Sequence, residues 1–513
     1  MNKTTRREFL MLSGAAGLAL ASQLAGRAPR PAKRKPNIVF FFIDDMGWQD
    51  TSEPFWSEVT ALNKRYKTPN MEKLADQGVK FTQAYACALC SPSRVSLMTG
   101  LNSARHMVTN WTLRKNKSPD RAHRTVQPPK WNLNGLSRGR GVERTYVAET
   151  LPELLRKEGY RTIHAGKAHF AAHGTPSEDP CKLGFDVNIA GHCAGGPGSY
   201  HGKNNFSAAW RRGDRIWDVP GLEKYHGKDI YLTEALTLEA NAAIGQSVKD
   251  AKPFYLYLSH YAVHAPWEKD DRFMKRYTDA GLKGRQAVYA SMIEGMDKSL
   301  GDIMAHVKKL GVEDNTIVVF MSDNGCPSNL PRNVPLRGHK IKPYEGGVRV
   351  PLIVKWPGIV KPDTTSEDDY VIIEDIFPTF LEMAGAKKFK QADGAMDGKS
   401  FVPLLKGKSG ISKGRPIFWH FPHTYGQTPY SSVRKDDWKL IYHHAQKKTE
   451  LFNLTEDIGE KKDLSKDKPE KVKELAKILG DHLRESGAMM PIDKRTKKAF
   501  PYPDKLATLG PAK

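Results

Sequence analysis

The segment Cys87-Ala-Leu-Cys-Ser-Pro-Ser-Arg94 combines residue types that a purely structural stretch has no need to combine. Cys87 and Cys90 form a C-x-x-C, half of a metal site. Zinc wants about four nitrogen or sulfur ligands, and the chain has no second C-x-x-C, so the pair is not read as a zinc site. Pro92 fits the first turn of a helix that continues through Val95-Ser-Leu-Met to Thr99-Gly100. Cys90 then stands at a helix N-terminus, where backbone N–H groups favour negative charge. Arg94, one turn on, adds a full positive charge. Such a position is expected to depress a thiol pKa, as a cysteine nucleophile requires. It would equally hold an anionic tetrahedral group.

Two further groups follow apolar runs. Asp44-Asp45-Met-Gly47 comes directly after Asn37–Ile43, and Asp323-Asn324-Gly325 directly after Thr316–Ser322. Carboxylates and amides are hard oxygen donors that suit Ca²⁺ or Mg²⁺. Either group alone is ordinary turn chemistry; found at two strand ends, they predict a metal site. Histidines and lysines form a third set. Gly166-Lys167-Ala168-His169 follows the strand-like Tyr160–Ala165, and alternation aims Lys167 and His169 the same way. His260-Tyr-Ala-Val-His264-Ala-Pro266 follows Pro253–Ser259, and Lys340-Ile-Lys342-Pro-Tyr344-Glu-Gly-Gly347 precedes Val350–Lys355. Lysines supply point charges for an oxyanion, and histidines move protons near neutral pH.

These residues need a frame to hold them. The runs 37–43, 253–259, 316–322 and 350–355 are continuously apolar rather than alternating, which predicts strands covered on both faces. Helical patterns separate them. Asn70 is expected to cap a helix running to Gly78, Thr150-Leu-Pro152 to open another, and Val288 to Val307 to keep an apolar stripe ending near Gly311. Strands alternating with helices give an α/β domain with a mostly parallel central sheet, whose ligands sit at the carboxyl ends of the strands. From about residue 410 short, turn-separated strands (415–420, 431–434, 438–442, 450–454) and a helix over 469–483 predict a smaller α+β subdomain with an antiparallel sheet. Residues 36–408 form the expected catalytic domain, 409–487 the C-terminal subdomain and 488–513 an extended tail.

The N-terminus reads as an export signal over residues 1–28, in which Arg6 and Arg7 resemble a twin-arginine signal. Its apolar run, Phe9 to Ala21, is too short to span a bilayer. The protein is therefore expected to be exported, periplasmic or secreted, with an export translocon as partner and no membrane-spanning segment. Five cysteines in 513 residues make no disulfide framework, although Cys181 with Cys193 stays open. The net charge of +23 favours an anionic partner. No helix-turn-helix or zinc-finger pattern points to nucleic acid.

The motifs together resemble the type I, formylglycine-dependent sulfatases of the alkaline phosphatase superfamily. Cys90-Ser-Pro-Ser-Arg94 matches the family's C-x-P-x-R maturation signal. Asp44-Asp45, Gly166-Lys-Ala-His169, His264-Ala-Pro266, Asp323-Asn324 and Lys340…Tyr344-Glu-Gly-Gly347 match its other blocks in order. The resemblance implies that a formylglycine-generating maturation enzyme oxidises Cys90 to Cα-formylglycine, whose gem-diol attacks sulfur. It implies one Ca²⁺ on Asp44, Asp45, Asp323 and Asn324. It gives Arg94, Lys167 and Lys340 the sulfate oxygens, His264 the proton for the leaving alcohol, and His169 the proton removed when the aldehyde re-forms. Lys342 stands in reserve for Lys340. Where the family often has Trp between Lys and His, Ala168 stands here. His192 is expected to complete the sulfate pocket, Trp210 and Trp217 to stack on sugar rings, and His420 and His423 to face the cleft. The basic surface and expected export suit a sulfated polysaccharide or oligosaccharide, hence a carbohydrate sulfatase. The competing readings are a phosphonate or phosphodiester hydrolase on the same scaffold and a non-catalytic exported glycan-binding protein.

Overall fold

The first strand, β1 (Asn37–Ile43), is buried at every position, and its side chains divide between two cores. Ile38, Phe40 and Phe42 enter one apolar cluster, and Val39, Phe41 and Ile43 the other. A strand covered on both faces has no polar side to show, so its sequence runs apolar without a break. The computed structural model describes residues 34–328 and 333–506. The export signal expected over 1–28, with Arg6 and Arg7, lies outside them, as does the end of the tail.

The other strands of the main sheet are β2 (Val79–Tyr85), β3 (Arg161–Gly166), β4 (Val187–Ile189), β5 (Phe254–Ser259), β6 (Thr316–Ser322), β7 (Arg349–Lys355), β8 (Thr364–Ser366) and β9 (Val371–Ile372). They lie in the order β8-β2-β7-β6-β1-β5-β3-β4, with β9 also on β2. The sheet is parallel except for β7, which runs antiparallel to both neighbours. Pro351 sits inside β7, where the register against β2 shifts between Val350 and Leu352. A proline has no N–H for the ladder, and a bulge is where a central strand tolerates one.

On one face lie α1 (Pro69–Asp76), α4 (Leu232–Lys249) and α5 (Gly284–Lys309), and on the other α2 (Cys90–Thr99), α3 (Leu151–Lys157) and α6 (Ile376–Met383). The expected Asn70 cap is corrected: Asn70 lies inside α1, after Thr68 and Pro69. The orphan N–H groups of α1 are met instead by Asp297 of α5, which accepts from the Asn70 backbone at 3.1 Å and from Met71 at 2.8 Å. A cap brought by tertiary contact leaves no local sequence mark.

Towards the C-terminus, β10 (Pro416–Phe421), β11 (Tyr430–Lys435), β12 (Trp438–His443) and β13 (Lys448–Asn453) form an antiparallel meander. Helix α7 (Pro469–Glu485) lays Leu475, Leu479 and Leu483 against Val433, Leu440 and Leu451. The tail is not simply extended as expected. Ile492–Asp493 pairs with both Val126–Gln127 and Lys498–Ala499, and Pro503–Leu506 is helical. Two-residue strands are too short to leave a period in the sequence. No described helix is long and apolar enough to cross a membrane.

Candidate active site

β1 and β6 are neighbours in register, Ile43 beside Ser322, so the residues that follow them emerge side by side. Carboxylate oxygens of Asp44, Asp45 and Asp323 lie within 4.8 Å of one another and of the Cys90 sulfur. Asp45 adopts a left-handed backbone conformation (φ 62°), one that aspartate tolerates better than most residues. Asn324 Nδ2 donates to Asp45 Oδ1 at 2.8 Å, while Asn324 Oδ1 is buried with no hydrogen-bond partner. A buried orphan oxygen beside three carboxylates has the donor chemistry of a hard-cation site. The four residues therefore fit Ca²⁺.

Three cations face the three carboxylates. Arg94 is fully buried. It donates to Asp323 Oδ2 from Nη2 at 2.8 Å and Nε at 3.1 Å, and from Nη1 to Ser259 Oγ at 2.5 Å and to the Lys167 carbonyl at 3.1 Å. Its guanidinium is thus committed to protein groups and does not line the cavity. Lys167 Nζ lies 2.5 Å from Asp44 Oδ2 and is equally buried. Lys340 Nζ lies 2.5 Å from Asp45 Oδ1 and 3.2 Å from Cys90 Sγ, and it does line the cavity. Lys342 instead donates to Gln427 Oε1 at 2.7 Å and the Gly426 carbonyl at 3.2 Å. Burial, together with Asp323, raises the Asp44 pKa well above the usual carboxylate range. Burial opposes ionisation of Asp45 too, but Lys340 and then His264 hold it below that range.

Cys90 opens α2, with Leu89 as the residue before it and Pro92 in the first turn. The expected depression of its thiol pKa is reversed. Burial, reinforced by Asp44, pushes it up to about 12, against the pull of Lys167 and Lys340. Desolvation beside carboxylates outweighs the helix terminus.

Both catalytic-candidate histidines are present, each with one ring nitrogen engaged. His169 Nε2 lies 2.7 Å from the Thr112 carbonyl, which accepts only from an Nε2–H, leaving buried Nδ1 as a lone pair without a partner. His169 does not reach the cleft by strand alternation as expected: β3 ends at Gly166, and His169 turns in with φ 56°. Gly166 itself has φ 97°, and a Cβ there would stand 2.0 Å from the Ser259 carbonyl oxygen. A Cβ on Gly195 would stand 2.5 Å from His169 Cε1. His264 Nδ1 is 2.6 Å from the Ala265 carbonyl, and Nε2 is 3.8 Å from Asp45 Oδ2. Burial lowers His264 to about 3, and takes His169 well below the imidazole range.

A cavity of about 710 Å³ opens over Cys90, His169, His264 and Lys340. Of the predicted sugar contacts, only Trp217 lines it. Trp210 is 50% exposed elsewhere, its Nε1 bonded to the Gly198 carbonyl. His192 contributes its backbone carbonyl, which accepts from His169 N at 3.1 Å, and its ring lies outside the cavity lining. His420 and His423 are corrected as cleft residues. Both are buried: His420 between Ser431 Oγ and the Met489 carbonyl, His423 between Thr109 Oγ1 and Asp120. Ala168 is buried in an apolar cluster and is not among the residues lining the cavity. Cys181 and Cys193 are both free thiols. Sequence reasoning missed Trp111, Trp267, Tyr425 and Arg285, which line the cavity. Trp111 and Tyr425 meet edge to face at 5.6 Å from distant segments, and no local signal joins them.

A buried ion knot supports the Lys340 loop. Glu345, which opens a short helix just beyond it, lies 2.8 Å from Lys439 of β12, and Lys439 also meets Glu460 at 3.0 Å. All three side chains are fully buried.

The family model for sulfatases matches residues 36–386, and a model described as N-sulphoglucosamine sulphohydrolase, C-terminal, matches 339–488. The chain belongs to the sulfatase family. It is a sulfuric ester hydrolase on an alkaline-phosphatase-like scaffold. A sulfatase of Formosa agariphila is 30% identical over 95% of this chain and 96% of its own length. N-acetylgalactosamine-6-sulfatase of Mus musculus is 32% identical over 82% of this chain and 74% of its own. The crystal structure of Ps i-CgsB in complex with k-i-k-neocarrahexaose superposes with a TM-score of 0.71 at 26% identity, covering 92% of this chain and 97% of that one.

Proposed function

We propose that the protein is an exported carbohydrate sulfatase whose nucleophile is made from Cys90. The observation that carries this is the placement of Cys90: it opens a buried helix within 4.8 Å of three carboxylates, on a cavity shared with two imidazoles and a lysine. The relatives named for N-acetylgalactosamine-6-sulfate chemistry or solved with a neocarrahexaose support a carbohydrate substrate. Oxidation of Cys90 to Cα-formylglycine by a maturation enzyme would supply a hydrated aldehyde, with one hydroxyl to attack sulfur and a second for breakdown of the ester. Ca²⁺ held by Asp44, Asp45, Asp323 and Asn324 would supply Lewis acidity at a sulfate oxygen.

The chain's own residues divide the remaining work. Lys340, beside residue 90 and open to the cavity, neutralises a sulfate oxygen. Arg94 is a positioning residue that fixes Asp323, and Lys167 does the same for Asp44. His264 donates to the Ala265 carbonyl through Nδ1, which leaves Nε2 to carry the proton for the leaving alcohol; the anionic sulfate raises its proton affinity on binding. His169, with Nε2–H fixed on the Thr112 carbonyl, offers Nδ1 as the proton acceptor near residue 90. The test is the mass of the residue-90 peptide from the native host, together with sulfate release from a panel of sulfated glycans. Formylglycine and release are expected. An unmodified thiol in every chain, with no release, would refute the proposal.

A further inference from the structure

Arg285 lines the same cavity but belongs to none of the hydrogen bonds and ion pairs that knit its floor. It stands in the first turn of α5, where there is no acidic residue. Its guanidinium carbon lies 5.8 Å from the centroid of the Trp267 ring. Trp267 is itself fixed, with Nε1 donating to the Val263 carbonyl at 3.1 Å and its ring meeting Tyr289 edge to face at 6.2 Å. Other arginines nearby are paired: Arg272 with Asp270 and Glu234, and Arg276 with Glu294. Arg285 has no carboxylate partner among the described residues, and no aspartate or glutamate is among the residues lining the cavity.

The floor already provides Lys340 for the ester that is cleaved. A second cation, beside an aromatic ring and with no carboxylate partner among the described residues, is free to meet another anion. Arg285 is exposed at the cavity wall with its guanidinium beside the Trp267 ring, and the planar fork of a guanidinium matches a carboxylate or a sulfate. At about 710 Å³ the cavity falls in the range of sites that enclose a whole small ligand, roughly 300–1,000 Å³. We propose that Arg285 reads a second anionic group on the substrate, a carboxylate or a further sulfate on the same oligosaccharide. The preferred substrate is then a multiply anionic glycan rather than a singly sulfated neutral sugar. This rests on the sulfatase reading above.

The test compares wild type, Arg285→Ala and Arg285→Lys on sulfated oligosaccharides that differ only in a second sulfate or a uronate carboxylate. Arg285→Ala lowers kcat/KM about 10- to 100-fold on the doubly anionic substrate and less than about 3-fold on the singly sulfated one. Arg285→Lys falls between, because the ammonium keeps the charge and loses the fork. The sulfate and carboxylate arms distinguish the two groups. An equal loss on both substrates, or no loss on either, overturns the proposal. Titration calorimetry of the same oligosaccharides with Cys90→Ser, with and without Arg285→Ala, separates the two readings. A preference for the doubly anionic ligand that disappears with Arg285 sustains the inference even without turnover. Release from all substrates without any dependence on Arg285 keeps the sulfatase and removes the subsite.

Discussion

Replacing Arg94 with Met is expected to destabilise the fold by about 3–5 kcal/mol, even in protein whose Cys90 is still a thiol. Methionine keeps the length of the side chain and none of its donors. Asp323, also fully buried, would lose both bonds from the guanidinium and keep the Asp45 backbone N–H at 3.2 Å. Removing one partner of a buried pair leaves an uncompensated charge, which is the source of that figure. The Ser259 hydroxyl and Lys167 carbonyl would lose a donor as well, each worth about 1 kcal/mol where water does not replace it. Arg94→Lys keeps the charge without the fork and should cost about 1–3 kcal/mol. The assay is urea unfolding followed by tryptophan fluorescence, on protein made without a maturation enzyme, with and without calcium. Maturation then cannot confound the result. If Arg94→Met unfolds at the wild-type midpoint, within about 0.5 kcal/mol, the buried pair has no structural weight, and Arg94 serves only as a recognition signal.

Cys90→Ala should abolish sulfate release while leaving the thermal midpoint and calcium stoichiometry near wild type; a large loss of fold would make Cys90 structural instead. Asn324→Leu removes the orphan Oδ1, so calcium affinity measured by titration should fall about 10-fold or more, and chelation should then lower the thermal midpoint less than in wild type. An unchanged affinity would exclude Asn324 as a ligand. Glu374 is buried, accepts from Asn102 Nδ2 at 3.0 Å and has its pKa raised from 4.5 to about 8, first by burial. Its contribution is fully present below the unfolded pKa and is lost as pH rises through the folded one, at up to about 1.4 kcal/mol per pH unit. Glu374→Gln should therefore gain on wild type between pH 5 and about 8 and hold that gain above it; parallel stability profiles across that range would count against the buried neutral acid.

The parts of the molecule legible in the sequence are those written in contiguous residues. Asn37–Ile43 and Thr316–Ser322 could be bounded because burial on both faces forces unbroken apolarity between polar strand ends. Asp44, Asp45, Asp323, Asn324 and the two histidines stand out because parallel strands bring their carboxyl ends to one edge, so residues soon after each strand come together; Lys340, in the loop before the antiparallel β7, stands out only through the motif around it. What distant segments do to one another was not legible. Arg94 reads in the sequence as a sulfate contact, yet Asp323, Ser259 and the Lys167 carbonyl take four of its five N–H donors. Cys90 looked like an acidic thiol, yet burial beside Asp44 makes it a weak one. His423 was aimed at the cleft, but Asp120, some three hundred residues earlier in the chain, holds its ring inward. The Trp111–Tyr425 wall and the Asp297 cap of α1 are likewise properties of the assembled fold.

The burial of Cys90 and its followers also sets a clock. Cys90 is 2% exposed, and Ser91 through Met98 are buried without exception. On the proposed reading, the enzyme that oxidises Cys90 has to recognise Pro92 and Arg94 along with it, and in the folded chain neither is within reach. Folding is therefore a deadline for maturation. On that reading, oxidation has to come before α2 is packed, while Cys90, Pro92 and Arg94 can still be bound together. A molecule that folds too early would keep its thiol sealed in, with no second chance to become active.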